Sequence, residues 1–257
     1  MTNSPKKIAF VASDTEKAQQ ALTALHKRYV SVAPNDADVI VALGGDGLML
    51  KAMHRYLKNP KPIYGMNRGS IGFLMNEFSE ENLLERIESA QVTKVHPLLM
   101  KVKDIEGVES RAYAINEVSL FRQTHQTAKL RVLIDDIVRM EELIADGILV
   151  STPAGSTAYN LSANGPILPL SSPLLALTPL TPFRPRRWRG ALLSDHATIT
   201  VEVLEPRSRP VAAVADSKEV RYAARVESRL DKSNSILMLH DGVHGLDERI
   251  LREQFAW

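Results

Sequence analysis

The sequence of 257 residues contains no cysteine, which excludes disulfide bonds and thiolate metal sites. It also has no apolar stretch of the ~18 residues that a membrane-spanning helix requires, and its first residues lack the apolar region of a signal peptide. With 32 Lys and Arg against 30 Asp and Glu, the net charge of +2 does not indicate a dedicated nucleic-acid binder. These absences predict a cytoplasmic protein with neither a membrane nor a nucleic acid as partner.

Glycines occupy the point where the strongest strand pattern ends. Val39 to Leu43 is an unbroken apolar run, typical of a strand buried on both faces of a parallel sheet. The corner Gly44-Gly45-Asp46-Gly47 follows, and apolar residues then recur at helical spacing from Met49 to Leu57. Ligands bind at such corners of open α/β sheets, because glycines and a helix start let main-chain N–H groups meet a phosphate. No Walker A pattern occurs in the chain.

Asp46, in the middle of that corner, has two interpretations. A carboxylate cannot attract phosphate by itself, but it can bind a magnesium ion or accept the proton of a hydroxyl that attacks a phosphoryl group. The alternative is a structural corner in which Asp46 caps the helix. Six of the 13 glycines lie between Gly44 and Gly72, so two glycine loops are expected at the same edge of the sheet.

The order of strand and helix patterns predicts a fold that is α/β plus all-β. Strand–helix alternation indicates a doubly wound α/β domain over residues 1–95. Helical periodicity is lost after that, and short strand patterns predict a β-rich domain over residues 96–230. Residues 231–257 are expected to pack back on the first domain with a strand, Ser235 to Leu239, and a short helix, Asp247 to Phe255.

Four local patterns give finer predictions. Ser13 to Glu16 matches a capping box at the start of a helix. Glu80 to Gln91 reads as a further helix, and Tyr113 to Phe121 as one strand. Asp135-Asp136, flanked by β-branched runs, predicts a hairpin turn and not a pair of catalytic carboxylates.

Two further motifs carry polar side chains suited to a nucleotide. The hydroxyl-rich run from Ser151 to Ser162 offers donors and acceptors for ribose and phosphate oxygens, and Tyr159 in it can stack on a base. Asn116-Glu117 can clamp neighbouring hydroxyls of a sugar. The structural alternatives are a helix cap for Ser156-Thr157 and a β-bulge or a partly solvated strand face for Asn116-Glu117.

Together these motifs resemble the NAD kinase family. Its three marks stand here in order as Gly44 to Gly47, Asn116-Glu117 and Thr152 to Tyr159, and the stretch from Gly65 to Leu74 resembles the family's second glycine segment. The glycine–aspartate corner alone is shared with diacylglycerol kinases and phosphofructokinases, whereas the full set is that of NAD kinases. Leu48 and Ala154 depart from the family pattern, which more often has Thr at both positions.

The resemblance implies an enzyme that transfers a phosphoryl group from ATP to the 2′-hydroxyl of the adenosine ribose of NAD, giving NADP. A divalent cation, Mg²⁺ by preference, and a homodimer or homotetramer are implied with it. Asp46 is implied as the catalytic base, with Gly44, Gly45 and Gly47 binding phosphate. The NAD-binding positions implied are Asp46, Gly47, Lys51, Asn116, Glu117, Asp146, Thr157, Ala158, Tyr159, Asn160, Leu161 and Ser162.

Alternatives to this function stay open at the level of sequence. One is a related kinase acting on a lipid or a sugar, and another is a nucleotide sensor that binds without turnover. The donor is open between ATP, another nucleoside triphosphate and polyphosphate, and the acceptor between NAD and NADH. The basic loop with Arg184, Arg186, Arg187 and Arg189 around Trp188 reads either as a solvated loop or as a phosphate-facing loop at the nucleotide entrance.

Overall fold

The computed structural model describes residues 6–69, 72–242 and 255. The chain divides into two compact units, one formed by residues 1–95 with 234–257 and the other by residues 96–233. The second unit is thus inserted in the sequence of the first.

Unit 1 is built on a five-stranded sheet with the order β1-β2-β3-β17-β4. Four of these strands run parallel, and β4 pairs antiparallel with β17 at one edge. The strands are β1 (Ile8–Ala12), β2 (Val39–Gly44), β3 (Ile63–Asn67), β4 (Gln91–Val95) and β17 (Ile236–His240). The helices are α1 (Glu16–Arg28), α2 (Asp46–Tyr56) and α3 (Leu83–Ser89).

Burial explains why β2 is central to this unit. All six of its residues are buried, as expected for a strand covered on both faces. Val39, Val41 and Leu43 share a core with α1 and α3. The residues between them point the other way, where Gly44 faces Leu48 of α2. Helices therefore cover both faces of the sheet, and the predicted doubly wound fold is confirmed.

The predicted capping box at the start of α1 is wrong. The helix begins at Glu16, its N-cap is Thr15, and the cap makes no side-chain hydrogen bond. The Ser13 hydroxyl instead lies 3.1 Å from the Thr15 hydroxyl. The helix is positioned by its buried side chains Ala18, Ala21 and Leu25 and by Glu16 at its positive end.

Unit 2 consists of two six-stranded sheets, ordered β12-β11-β10-β7-β14-β15 and β6-β5-β16-β13-β8-β9, whose neighbouring strands pair antiparallel. The strands are β5 (Leu98–Asp104), β6 (Glu109–Ala114), β7 (Glu117–Arg122), β8 (Ala128–Ile134), β9 (Ile137–Ala145), β10 (Gly147–Ser151), β11 (Leu174–Leu180), β12 (Ala191–Ser194), β13 (Thr198–Leu204), β14 (Val211–Ala215), β15 (Lys218–Val220) and β16 (Ala223–Leu230). One core is shared by side chains of both sheets, so the β-rich domain is a sandwich. A 3₁₀ turn (Ala154–Thr157) and α4 (Tyr159–Ser162) follow β10.

Strand boundaries differ from the predictions in places. The strand expected from Tyr113 to Phe121 is interrupted, because β6 ends at Ala114 and β7 begins at Glu117. The helix expected from Glu80 to Gln91 is shorter, because α3 ends at Ser89 and Gln91 already belongs to β4. Two strands of unit 2, β11 and β12, have no counterpart in the sequence patterns, and β9 is indicated only by the hairpin turn at Asp135-Asp136.

Two other predictions can be compared directly with the structure. Asp135 and Asp136 both have positive φ, at 50° and 61°, and link Ile134 to its strand partner Ile137, so the hairpin turn is confirmed. β17 joins the sheet of unit 1, as expected for a segment that returns to the first domain. Most of the predicted terminal helix lies outside the described residues. Within the described part of the chain, no helix is long and apolar enough to cross a membrane.

Candidate active site

The two glycine loops of unit 1 meet beyond the ends of β2 and β3. The main-chain N–H of Arg68 donates to the carbonyl of Gly44 at 2.7 Å. A Cβ added to Gly69 would lie 3.5 Å from the Cα of Gly45. The expectation that both loops lie at the same edge of the sheet is therefore confirmed.

Asp46 is the first residue of α2, and the N-cap is Gly45. Its carboxylate accepts main-chain N–H groups from the second loop, from Phe73 at 2.9 Å and from Leu74 at 3.0 Å. Asp46 therefore does not cap the helix. Its carboxylate instead hydrogen-bonds the first glycine loop to the second. These two bonds hold the carboxylate of Asp46 at the start of α2, where the two glycine loops meet.

The glycines of the corner serve two purposes. A Cβ on Gly44 would come within 2.9 Å of Cδ2 of Leu48, so this position must be small for α2 to pack on β2. Around Gly47 a Cβ would meet nothing within 4 Å, and its exposed main chain is open to a ligand. Leu48 stands where the family pattern more often has Thr, and its apolar side chain lies against Gly44.

Lys51 lies on α2, five residues after Asp46. It is exposed and lines a cavity of about 390 Å³ together with Leu48, Arg55 and Tyr56. Asp46 is not part of that lining.

Asn116 and Glu117 stand where β6 gives way to β7. Among the described residues, Oδ1 of Asn116 and Oε2 of Glu117 are buried side-chain oxygens without a hydrogen-bond partner. Buried acceptors in native structures are nearly always satisfied, so two orphans on neighbouring residues indicate that donors come from a ligand. Neighbouring hydroxyls of a ribose are donors of that kind.

Charge and burial act strongly on Glu117. Burial first, and then the negative charge of Asp216, raise its pKa from 4.5 to about 7. Burial also raises the pKa of the Tyr159 hydroxyl, with smaller contributions from the charges of Glu117 and Asp146. The two orphaned acceptors thus lie in an electronegative part of unit 2 that includes Tyr159.

Much of the hydroxyl-rich run is used to hold its own segment in place. The Thr152 hydroxyl donates to the carbonyl of Ile115 at 2.7 Å and accepts from the N–H of Gly155. The Ser156 hydroxyl donates to the carbonyl of Pro153 and accepts from the N–H of Leu168. Composition alone could not separate these structural hydroxyls from ones that face a ligand.

The predicted residues of 157–162 fall into two groups. Asn160 is fully buried, its amide donates to two carbonyls, and its Oδ1 accepts from the Thr178 hydroxyl at 2.7 Å. Its side chain therefore supports the segment, and this geometry does not favour a contact with a nucleotide. The remaining five are at least partly exposed: Thr157, Ala158, Tyr159, Leu161 and Ser162.

Asp146 lies directly before β10 and forms an ion pair with Arg122, whose Nε is 2.5 Å from Oδ1. Both side chains are about a quarter exposed. Asp146 is thus close enough to affect the Tyr159 hydroxyl, and its Oδ1 is bonded to Arg122.

A cavity of about 440 Å³ adjoins these residues within unit 2. Tyr159 and Ser162 line it, together with Phe121 and, from the basic loop, Arg186, Trp188 and Arg189. This volume lies in the range of small-molecule sites, and the combination of aromatic rings and guanidinium groups suits a base and a phosphate. Sequence patterns did not assign Phe121 or Trp188 to a site.

Asp216 was also missed by the sequence analysis. It lies in the turn between β14 and β15, and its carboxylate accepts the main-chain N–H groups of Ile115, Asn116 and Glu117. An aspartate between two short strands reads simply as a turn residue. No signal in the sequence connects it with a segment about a hundred residues earlier.

No group of three or more His, Cys, Asp or Glu side chains that could hold a metal ion occurs in residues 6–69 and 72–242. Mg²⁺ is usually held by one or two carboxylates and by substrate phosphates. Asp46 beside the exposed Gly47 fits a cation that arrives with a polyphosphate and not a cage of protein carboxylates.

Two solved structures share this fold. Yeast NADH kinase, complexed with NADH, superposes with a TM-score of 0.81 at 21% identity, covering 100% of this chain and 90% of its own. An NAD kinase from Archaeoglobus fulgidus, in complex with ATP, gives 0.75 at 24% identity, with 97% of each chain covered.

Family models identify the two parts of the chain more narrowly. The ATP-NAD kinase N-terminal domain matches residues 1–91, and the ATP-NAD kinase C-terminal domain matches residues 115–238. The NAD kinase of Caulobacter vibrioides is 57% identical over 250 residues, 97% of this chain and 96% of its own length. The chain therefore belongs to the ATP-NAD kinase family.

Proposed function

We propose separate roles for the residues described above in the reaction of an NAD kinase. In this reaction, ATP phosphorylates the 2′-hydroxyl of the adenosine ribose of NAD to give NADP. The observation that carries the assignment is the pair of orphaned buried acceptors, Asn116 Oδ1 and Glu117 Oε2. The charge of Glu117 acts on Tyr159, and Tyr159 lines a cavity of about 440 Å³ that Asn116 and Glu117 themselves do not line.

Asp46 is proposed as the general base. A ribose hydroxyl is a poor nucleophile, and a carboxylate beside it can take its proton as the phosphoryl group arrives. The two N–H bonds from Phe73 and Leu74 hold the carboxylate in one orientation. A fixed base needs no reorganisation when the hydroxyl reacts.

The corner Gly44 to Gly47 is proposed to receive the phosphates of ATP through its main-chain N–H groups and the start of α2. A divalent cation, Mg²⁺ by our proposal, would be held by Asp46 and these phosphates, and it would neutralise charge on the transferring group. Lys51, which lies on α2, is proposed to contact NAD on the strength of the family resemblance alone.

Unit 2 is proposed to bind the acceptor. Asn116 and Glu117 accept ribose hydroxyls, and Tyr159 offers its exposed ring to a base. Thr157, Ala158, Leu161 and Ser162 present polar and apolar contacts beside it, while Asp146 stands at the rim. For Arg186 and Arg189 we propose contact with the phosphates of the dinucleotide, because they line the same cavity as Tyr159.

The decisive experiment is an assay of NADP formation from NAD, run in parallel with ATP and with polyphosphate. Formation of NADP with magnesium and ATP, and its loss in Asp46→Asn, is the expected result. Binding of NAD without turnover would favour a sensor, and phosphorylation of a lipid or sugar in place of NAD would favour another kinase of the glycine–aspartate group.

A homodimer or homotetramer in the cytoplasm completes the proposal. Light scattering after size exclusion measures the oligomer, and a monomer at assay concentrations that is fully active would contradict it.

A further inference from the structure

The segment Ile115 to Glu117 is held from one side by a single carboxylate. Oδ2 of Asp216 accepts the N–H of Ile115 at 2.7 Å, and Oδ1 accepts those of Asn116 at 3.1 Å and Glu117 at 3.2 Å. In return, the N–H of Asp216 donates to the carbonyl of Glu117 at 3.2 Å. Four hydrogen bonds thus join the β14–β15 turn to the residues between β6 and β7.

This arrangement has a clear physical cause. Where β6 stops and β7 starts, successive N–H groups lose their partners in the sheet, and buried main-chain donors must be satisfied elsewhere. A carboxylate accepts several N–H groups at once, in charge-assisted bonds that are stronger than neutral ones. Asp216 adopts a positive φ of 48°, a conformation that Asp and Asn tolerate better than most residues.

The same segment is held on its other side by the start of the hydroxyl-rich run. The carbonyl of Asn116 accepts the N–H of Thr152 at 2.9 Å, and a Cβ on Gly155 would come within 2.1 Å of that oxygen. The main chain of the segment is therefore bonded on both sides. Asn116 Oδ1 and Glu117 Oε2 have no hydrogen-bond partner in the described part of the chain.

We propose that Asp216 is a positioning residue for the acceptor nucleotide, which acts by fixing the main chain that presents Asn116 and Glu117. This inference rests on the proposed acceptor-binding role of those two residues. Without the carboxylate, the three N–H groups would be buried and unsatisfied, and the segment would move to find partners. The two side-chain acceptors would then no longer be presented together.

A second effect of Asp216 separates this role from a purely structural one. Burial and then the negative charge of Asp216 raise the pKa of Glu117 to about 7, and Glu117 also interacts with the Tyr159 hydroxyl of α4, which Asp146 affects as well. Affinity for the acceptor should therefore fall as pH drops through about 7, because a protonated Glu117 accepts fewer hydroxyls. Removing the charge of Asp216 should shift this break to lower pH.

Asp216→Asn is the test variant, because Asn keeps the shape and tolerates the positive φ but lacks the charge and one acceptor. Asp135→Asn is the matched control. Asp135 also has a positive φ, of 50°, and its Oδ1 accepts the N–H of Thr198 at 2.9 Å, in the turn between β8 and β9.

The expected result for Asp216→Asn is a rise of about tenfold in KM for NAD, with KM for ATP within twofold and the pH break moved to the acid side. Asp135→Asn should change none of these values. Glu117→Gln should abolish the break altogether. Thermal unfolding of each variant shows that it is folded under assay conditions.

An Asp216→Asn variant with wild-type KM for NAD would overturn the inference, and so would a raised KM with an unmoved pH break. If Asn at this position prevents folding, Asp216→Glu takes its place, since it keeps the charge but displaces the carboxylate; an unchanged KM for NAD would again overturn the inference. Failure of the proposed function is seen separately, as a wild type that forms no NADP from NAD.

Discussion

At the scale of single residues, Asp46 and Glu117 are carboxylates in opposite situations. Asp46 accepts two main-chain N–H groups, which fix its carboxylate. Glu117 is half-buried near the carboxylate of Asp216, and its buried Oε2 has no hydrogen-bond partner among the described residues. A fixed carboxylate suits a base, and a carboxylate with unmet acceptor capacity suits the binding of hydroxyls.

Asp46→Asn should lower kcat by ~10²–10⁴-fold, the usual cost of losing a general base. Asn cannot accept the proton, but it keeps one acceptor toward the second glycine loop. Affinity for NAD, measured by calorimetry, should therefore change by less than about tenfold.

The matched control for that change is Asp38→Asn. Asp38 also accepts a main-chain N–H through its carboxylate, from Lys7 at 2.8 Å, but it lies at the start of β2. It should leave kcat unaltered. Near-normal turnover in Asp46→Asn would rule Asp46 out as the base.

Glu117→Gln should stabilise the protein at alkaline pH. Because the folded pKa is raised from 4.5 to about 7, the folded state binds a proton more tightly than the unfolded chain, and the free energy of unfolding falls as pH rises through this window. Gln removes the charged form, so its Tm should exceed that of wild type at about pH 8 and converge with it below the ordinary pKa of 4.5. The shift sets an upper bound of roughly 3.5 kcal/mol on the gain.

Glu205→Gln provides a control of opposite sign. A hydrogen bond from Lys129 is the main cause that lowers the pKa of Glu205, so losing that charge should not raise Tm at alkaline pH. A Glu117→Gln variant that melts at or below the wild-type temperature at about pH 8 would contradict the raised pKa.

At the scale of elements, the segment after β10 has a buried side that holds it in place and an exposed side that is available for binding. Asn160 and the hydroxyls of Thr152 and Ser156 bond inward, while Tyr159 is 41% exposed. Because these inward hydrogen bonds fix the short helix α4, the ring of Tyr159 is held in one orientation. Less conformational entropy is then lost when a ligand binds.

Tyr159→Ala should weaken NAD binding by roughly 0.5–1.5 kcal/mol beyond the lost area, the usual worth of an aromatic contact. Affinity for a non-hydrolysable ATP analogue should stay nearly constant, and Tyr159→Phe, which keeps the ring, should resemble wild type. Calorimetric titration of both ligands measures this. Equal losses for the two ligands would mean that Tyr159 supports the fold and does not bind the acceptor.

The basic loop offers its own comparison. Arg186 and Arg189 line the cavity beside Tyr159, whereas Arg187 between them does not. Arg186→Gln should raise KM for NAD by roughly fivefold, about 1 kcal/mol for a partly exposed ionic contact, and the effect should shrink at high salt. Arg187→Gln should be neutral. Equal effects from both variants would support a solvated loop that acts only through net charge.

Local sequence patterns predicted strands whose residues are buried in a regular way and failed for strands whose burial is irregular. β2 is buried at every residue, and its apolar run predicted it correctly. β9 is largely exposed, carries Arg and Glu, and has irregular register with β8, so its sequence shows neither alternation nor an apolar run. β11 contains Pro179, which argues against a strand, and β12 is a short exposed edge.

For the whole molecule, the limits of prediction lie in contacts between distant segments. The motif residues Asp46, Asn116, Glu117 and Tyr159 could be named from sequence because glycines, hydroxyls and acidic groups cluster along the chain. Asp216 could not, because its role depends on a strand pairing that brings it to residues 115–117. The inward bonding of Asn160 likewise depends on Thr178 of a strand that no pattern indicated.

The position of β17 has a consequence for the order in which the chain can fold during synthesis. β17 lies inside the sheet of unit 1, between β3 and β4, although it follows every strand of unit 2 in the sequence. The β-sandwich can therefore complete its pairing first. A nascent chain that stops before residue 236 would carry β3 and β4 without the strand that joins them. The sheet of the unit that holds Asp46 therefore closes only after the whole of unit 2 has been synthesised.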